Sequence, residues 1–110
     1  VPTYCFSVEH RGRRLFYTGD TGYFSGLVDL AKGAHVILAD TGFLNGEKTT
    51  DVAPHLTAGE AGRLASLCGA EQLLCTHIWG GEPRDQAILS EAKAYFPNTL
   101  VVEELHEYII

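Results

Sequence analysis

The chain has 110 residues, of which 45% are hydrophobic and 20% charged, with a net charge of −6 when its five histidines are neutral. That size and mixture describe one small globular domain and exclude a disordered chain. The acidic balance disfavours general binding to phosphate backbones, and no apolar run approaches the roughly 20 residues that span a bilayer. The chain starts at Val1 and contains no Met, which suggests a processed product or a piece of a longer protein. Cys5, Cys68 and Cys75 are odd in number, lack C-x-x-C spacing and lie in apolar stretches. They read as buried free thiols of a cytoplasmic protein.

Along the chain, Thr3–Val8 alternates and is rich in aromatic and β-branched residues, so it predicts a strand. His10-Arg11-Gly12-Arg13 supplies a turn, and Arg14–Thr18 reads as the return strand of a hairpin. After the break at Gly19-Asp20-Thr21-Gly22, Phe24, Leu27, Val28 and Ala31 fall on one face of a short helix that Gly33 ends. Val36–Ala39 is a continuous apolar run, as expected of a strand buried on both faces. Asp40 to Pro54 reads as a loop. Thr57-Ala58-Gly59-Glu60 fits a capping box at a helix start, with Ala61, Leu64, Ala65 and Cys68 as the buried stripe and Gly69 as the stop. Gln72–Thr76 is another apolar strand, followed by a Gly-rich loop from His77 to Pro83. Ile88, Ala92, Tyr95 and Phe96 stripe a third helix ended by Pro97, and Leu100–Val102 and Tyr108–Ile110 read as late strands. A hairpin followed by strand-loop-helix units defines an α/β class.

In this arrangement Asp20, Asp40 and His77 stand at the ends of strands, where open α/β sheets place their sites. His55 directly precedes a helix start, where free backbone amides favour an anion. Aspartate and histidine at loop positions match the donors of zinc and similar metals. Singly, each has a plainer explanation: an Asx turn at Asp20, a covered helix end at His55, a solvated loop residue at His77. Their convergence on one sheet edge is what scattered loop residues would reach only by chance. His10, His35 and His106 fit a hairpin turn, a strand start and a late strand, and read as surface residues.

The local patterns resemble those of the metallo-β-lactamase-fold hydrolases, in their tRNase Z-like branch. Tyr17-Thr18-Gly19-Asp20-Thr21 resembles the motif whose aspartate bridges two metals. Leu74-Cys75-Thr76-His77 resembles the strand end whose histidine ligates the second metal. Ala53-Pro54-His55-Leu56-Thr57-Ala58-Gly59-Glu60-Ala61 resembles the segment whose histidine contacts the scissile phosphate or donates a proton. The resemblance covers nearly the whole chain. It implies the C-terminal half of a four-layer αββα sandwich, a mixed sheet with helices on one face. The other face should be apolar, covered by the absent N-terminal half or by a second copy of the chain in a homo-oligomer. It also implies a hydrolase of phosphodiesterase-like chemistry, acting on a small phosphodiester or RNA-like substrate, with two divalent ions, zinc or alternatively manganese. Asp20 and His77 would be metal ligands, His55 would act on the substrate and Asp40 would orient His55.

Two departures qualify what is implied. The His-x-His-x-Asp-His motif of the family's N-terminal half is absent, and Ala39-Asp40-Thr41-Gly42 stands where tRNase Z proteins carry His-Glu-Ala-Thr. The second departure favours a related hydrolase over tRNA 3′ processing. Three readings of other classes compete. The chain could be a non-catalytic fragment or interaction module. The repeated Asp-Thr-Gly at Asp20 and Asp40 spells the aspartic-protease triplet, but such proteases are almost wholly β. The glycines from Gly19 to Gly26 lack the G-x-G-x-x-G of a dinucleotide loop.

Overall fold

The computed structural model describes residues 4–47, 55–78 and 82–110. Two strands, β1 (Phe6–His10) and β2 (Arg13–Tyr17), form the expected hairpin, in register from Phe6 opposite Tyr17 to His10 opposite Arg13. Arg11 and Gly12 both take positive φ, the mirror-image turn whose twist suits a two-residue connection. Three further strands then add in parallel: β3 (Val36–Asp40), β4 (Gln72–Thr76) and β5 (Thr99–Val101), giving the order β1-β2-β3-β4-β5. Each parallel step carries one helix: α1 (Leu27–Ala31), α2 (Ala58–Cys68) and α3 (Glu82–Lys93). Right-handed crossovers taken in one direction along the sheet put all three on the same face. The expected mixed sheet with helices on one face is therefore the architecture.

The core lies between sheet and helices. Phe16, Ile37, Ala39, Leu73 and Cys75 point down from the strands and meet Leu27, Ala31, Leu64, Ala65, Cys68, Ile88 and Ala92. The alternate residues form the opposite face. One row across it runs Phe6, Tyr17, Leu38, Leu74 and Leu100, and a second runs Val8, Leu15, Val36 and Gln72. Phe6 and Val8 are more than half exposed, and Leu100 is also exposed, so this face is apolar and largely open at its edges. The sheet is the buried, doubly apolar kind that the run Val36–Ala39 suggests.

Helix α2 follows its sequence signals closely. The Thr57 hydroxyl accepts from the Glu60 amide and the Glu60 carboxylate accepts from the Thr57 amide, a complete capping box. Gly69 ends the helix in the left-handed region, donating to the Ala65 and Ser66 carbonyls. Other boundaries differ. Helix α1 omits Phe24, which is exposed, and starts after Gly26, which offers no side-chain cap. Helix α3 begins at Glu82, so Pro83 lies inside its first turn, where a missing N–H costs nothing. It stops before Tyr95 and Phe96. The late strand expected at Tyr108–Ile110 does not form. The bonds of this stretch run to side chains instead: the Tyr108 hydroxyl accepts from the Glu103 amide at 2.9 Å, and Arg13 Nε donates to the Ile110 carbonyl at 3.1 Å. A strand needs a neighbour's ladder, and this segment turns away from β5 at Leu105, which has positive φ. The start of the first expected strand at Thr3 and the loop positions 48–54 and 79–81 lie outside the described residues. All three cysteines are free, Cys68 and Cys75 buried and Cys5 half-buried. No helix among the described residues is long and apolar enough to cross a membrane.

The contact between α2 and α3 depends on Gly62. A Cβ there would stand 2.6 Å from the Ala92 carbonyl oxygen, a backbone atom that cannot swing aside. Alanine favours helix by about 1 kcal/mol over glycine, but forcing two packed helices apart costs typically 1–3 kcal/mol. Gly62→Ala is therefore expected to destabilise, by a net amount of up to about 2 kcal/mol. The urea midpoint should fall at unchanged m-value, and a rise would contradict the packing described.

Candidate functional site

The parallel strands β2, β3 and β4 end side by side, and the residues that follow them meet. Asp40 closes β3 and is fully buried. Its Oδ2 lies 2.7 Å from Nδ1 of His55 and 3.1 Å from Nδ1 of His77. Asp20 Oδ1 lies 3.4 Å from the same nitrogen of His77. The two imidazoles stand edge to face, with ring centres 5.1 Å apart. One ligand atom from each of Asp20, Asp40, His55 and His77 can be chosen so that all lie within 4.8 Å of one another. All four residues singled out by sequence thus converge.

Local backbone features deliver each group. Gly19 has φ +66, and a Cβ there would overlap the Tyr4 carbonyl, so only glycine makes the turn that presents Asp20. His77 itself has φ 61, a left-handed conformation that a non-glycine residue adopts at a cost of order 1 kcal/mol. His55 is held from two sides. The Leu56 amide donates to the Asp40 carbonyl at 3.3 Å, and the Phe43 ring stands edge-on to the imidazole at 5.7 Å. Phe43 pairs with Thr57 in a short parallel bridge, its amide bound to the Leu56 carbonyl and its carbonyl to the Ala58 amide.

Exposure divides the four. The side chains of Asp20 and His77 are 58% and 53% exposed, whereas those of His55 and Asp40 are 19% and 0% exposed. Burial pushes the Asp40 carboxyl above its ordinary range, while its contacts with His55 and His77 pull the other way. The Asp40 contact, aided by Asp20, pushes His77 up from 6.5. Asp40 Oδ1 is buried and has no hydrogen-bond partner among the described residues. Two carboxylates and two imidazoles at this spacing, one carboxylate oxygen unsatisfied, are donors suited to a divalent ion such as zinc.

One expectation is corrected here. The start of α2 does not offer free amides to a substrate anion. The Ala58 amide donates to the Phe43 carbonyl, the Gly59 amide to the Glu91 carboxylate at 3.1 Å and the Glu60 amide to the Thr57 hydroxyl. His10, His35 and His106 stay outside the site: His10 ends β1, His35 accepts from the Arg14 amide and His106 lies 3.3 Å from Glu103. Thr18 and Phe43 escaped the sequence reading. Thr18 is fully buried, and its hydroxyl accepts from the Asp40 amide at 3.1 Å and donates to the Gly19 carbonyl. Its position beside Gly19-Asp20 was the available signal; Phe43, inside a polar loop, had none.

A family model described as a β-lactamase superfamily domain matches residues 1–78. Ribonuclease Z of Archaeoglobus fulgidus is 31% identical over 106 residues, covering 94% of this chain and 35% of that protein. The crystal structure of the metallo-β-lactamase-fold protein YhfI from Bacillus subtilis superposes with a TM-score of 0.78 at 25% identity, over 91% of this chain and 40% of that one. Human tRNase Z, short form, superposes with a TM-score of 0.61 at 27% identity, over 71% of this chain and 31% of that one. The chain belongs to the β-lactamase superfamily, as a ribonuclease Z-like protein of metallo-β-lactamase fold. It spans about a third of the length of the curated relatives it matches.

Thr18 anchors the carboxylate-bearing end of β3, so Thr18→Val keeps the shape and removes the acceptor of the buried Asp40 amide. An orphaned buried amide costs about 1–3 kcal/mol. Urea unfolding should show that loss, and a neutral result would mean the amide finds another partner.

Proposed function

We propose that this chain supplies part of a two-metal site in a metal-dependent hydrolase that acts on phosphodiesters, small or RNA-like. The observation that carries this reading is the meeting of Asp20, Asp40, His55 and His77 at one edge of the sheet, donor atoms within 4.8 Å. Exposed at the mouth, Asp20 and His77 are the residues that would hold divalent ions, zinc or alternatively manganese. Such ions, when bound, supply Lewis acidity and make hydroxide available near neutral pH.

The rest of the chemistry belongs to His55 and Asp40. Asp40 engages His55 Nδ1 and thereby fixes the ring, whose role would be to meet the substrate anion or pass a proton to the departing oxygen. Asp40 is buried and cannot itself reach a substrate, which suits an orienting role. A catalytic zinc ordinarily takes three protein ligands, and Asp20 and His77 are too few for two ions. The remaining ligands are assigned to an N-terminal half carrying the family's His-x-His-x-Asp-His motif. That half would also cover the apolar face where it is open, at Phe6, Val8 and Leu100; a second copy of the chain is the alternative occupant. The cytoplasm fits the three free thiols.

In the complete protein, Asp20→Ala should abolish turnover and lower metal content, whereas His55→Ala should keep its metal and lose about 10²–10⁴-fold in turnover. Metal analysis beside rate measurement checks this, and equal metal loss in both variants would overturn the division of roles. A panel of phosphodiesters, cyclic nucleotides, lactones and tRNA precursors would identify the substrate.

Metal affinity should also depend on pH with a defined sign. A protonated His77 cannot ligate, and its neighbours raise its pKa above 6.5. Zinc binding should therefore strengthen as pH rises through that raised value, with proton release on binding. Calorimetry in buffers of different ionisation enthalpy measures the release; affinity independent of pH between 6 and 8, approximately the titration range of imidazole, would remove His77 from the ligand set. The 110-residue chain alone should bind zinc and manganese weakly and show no turnover, whereas sub-micromolar binding of two ions with activity would overturn its reading as part of a site.

A further inference from the structure

We infer that Glu91, on α3 and outside the site, is a positioning residue for His55. The inference rests on the role proposed for His55 above. The Glu91 carboxylate ties together both chain segments between which the His55 ring is held. Both Oε atoms accept from the Asn45 amide, at 3.1 and 3.0 Å, and Oε2 also accepts from the Gly59 amide at 3.1 Å. Asn45 belongs to the loop after β3 that carries Phe43. Gly59 belongs to the first turn of α2, which begins three residues after His55.

The two segments are joined again around this carboxylate. The Asn45 side chain hydrogen-bonds the Thr57 hydroxyl, the cap of α2. The Ala58 amide donates to the Phe43 carbonyl at 2.8 Å. Gly59 leaves room for this closure, because a Cβ there would displace the Asn45 side-chain amide. The result is a closed network from Glu91 through Asn45, Thr57 and Gly59 to the peptide that bears His55, with the Phe43 ring packed on the imidazole.

A charged acceptor at the start of a helix is also where the macrodipole favours it. An internal carboxylate thus takes the place that a substrate phosphate would occupy at an open helix start. Loss of the carboxylate charge weakens the tie between loop and helix, leaving the Phe43–Thr57 bridge and the Asn45–Thr57 bond, and lets His55 shift relative to Asp40. Displacement of a positioned group by about 1 Å can lower turnover about 10²-fold.

The test compares Glu91→Gln with wild type in the complete, metal-loaded protein, with His55→Ala in parallel. Asn45→Ala, which cuts the same network at Thr57, is the second variant should Glu91→Gln not fold. The first readout is the Nδ1 proton resonance of His55, which reports the 2.7 Å contact with Asp40. It should shift or broaden in Glu91→Gln while metal content stays that of wild type; an unchanged resonance overturns the inference. The second readout is turnover of two diesters. Bis(p-nitrophenyl) phosphate releases a stable p-nitrophenolate that needs no proton, whereas thymidylyl thymidine releases a nucleoside alkoxide that does. Glu91→Gln should lower kcat on the dinucleotide about 10²-fold, with KM and the nitrophenyl rate little changed, in the pattern of His55→Ala. Equal losses on both diesters would make Glu91 merely structural and overturn the inference. A changed resonance with no leaving-group dependence in His55→Ala would leave the positioning intact and overturn the acid role of His55.

Discussion

A carboxylate sealed from water must find charge or hydrogen bonds nearby, and Asp40 finds both in the imidazoles of His55 and His77. Much of the site can be traced to this requirement. Its burial follows from its place as the last residue of a central strand, flanked by β2 and β4. The Thr18 hydroxyl takes its amide and the Leu56 amide takes its carbonyl, so its main chain is satisfied by the two segments that carry the neighbouring site residues. The carboxylate then draws together a histidine before α2 and a histidine after β4, which lie 22 residues apart in sequence. Packing, not local sequence, sets the 4.8 Å cluster.

The same geometry explains why the site is lopsided. Asp20 and His77 are open at the mouth while Asp40 and His55 are enclosed. Groups that bind an ion or a substrate need access; groups that orient others need rigidity. The left-handed backbone at Gly19 and His77 supports the accessible pair, each residue sitting on a sharp turn directly after a strand. The strain at His77, a non-glycine residue, persists only where the surrounding structure holds it, here through its contacts with Asp40 and Asp20.

Opposite the helices, the sheet keeps a second apolar face with exposed Phe6, Val8 and Leu100. The centre of this face, at Val36 and Leu74, is buried, but its edges are open, and water contact there is unfavourable at about 25 cal/mol per Å². The chain spans about a third of the length of the curated relatives it matches.

Hairpin, capping box and strand ends were legible in the residues themselves. Arg11-Gly12 suits its turn, Thr57 and Glu60 cap each other within one helical turn, and the apolar run Val36–Ala39 is typical of an interior strand. These are local rules, satisfied by neighbours in the chain. The four site residues were legible too, because strand ends and a capped helix start mark where they lie. What the sequence left open depended on partners far away. Tyr108–Ile110 has the composition of a strand but no neighbour to pair with. The amides at the start of α2 look free until Glu91, 32 residues onward, is folded against Gly59. Thr18 and Phe43 gain their roles only from what packs on them. A residue's propensity is written in its own atoms, whereas its hydrogen-bond partner is chosen by the fold, and that choice made Asp40 the centre of the site and Glu91 its brace.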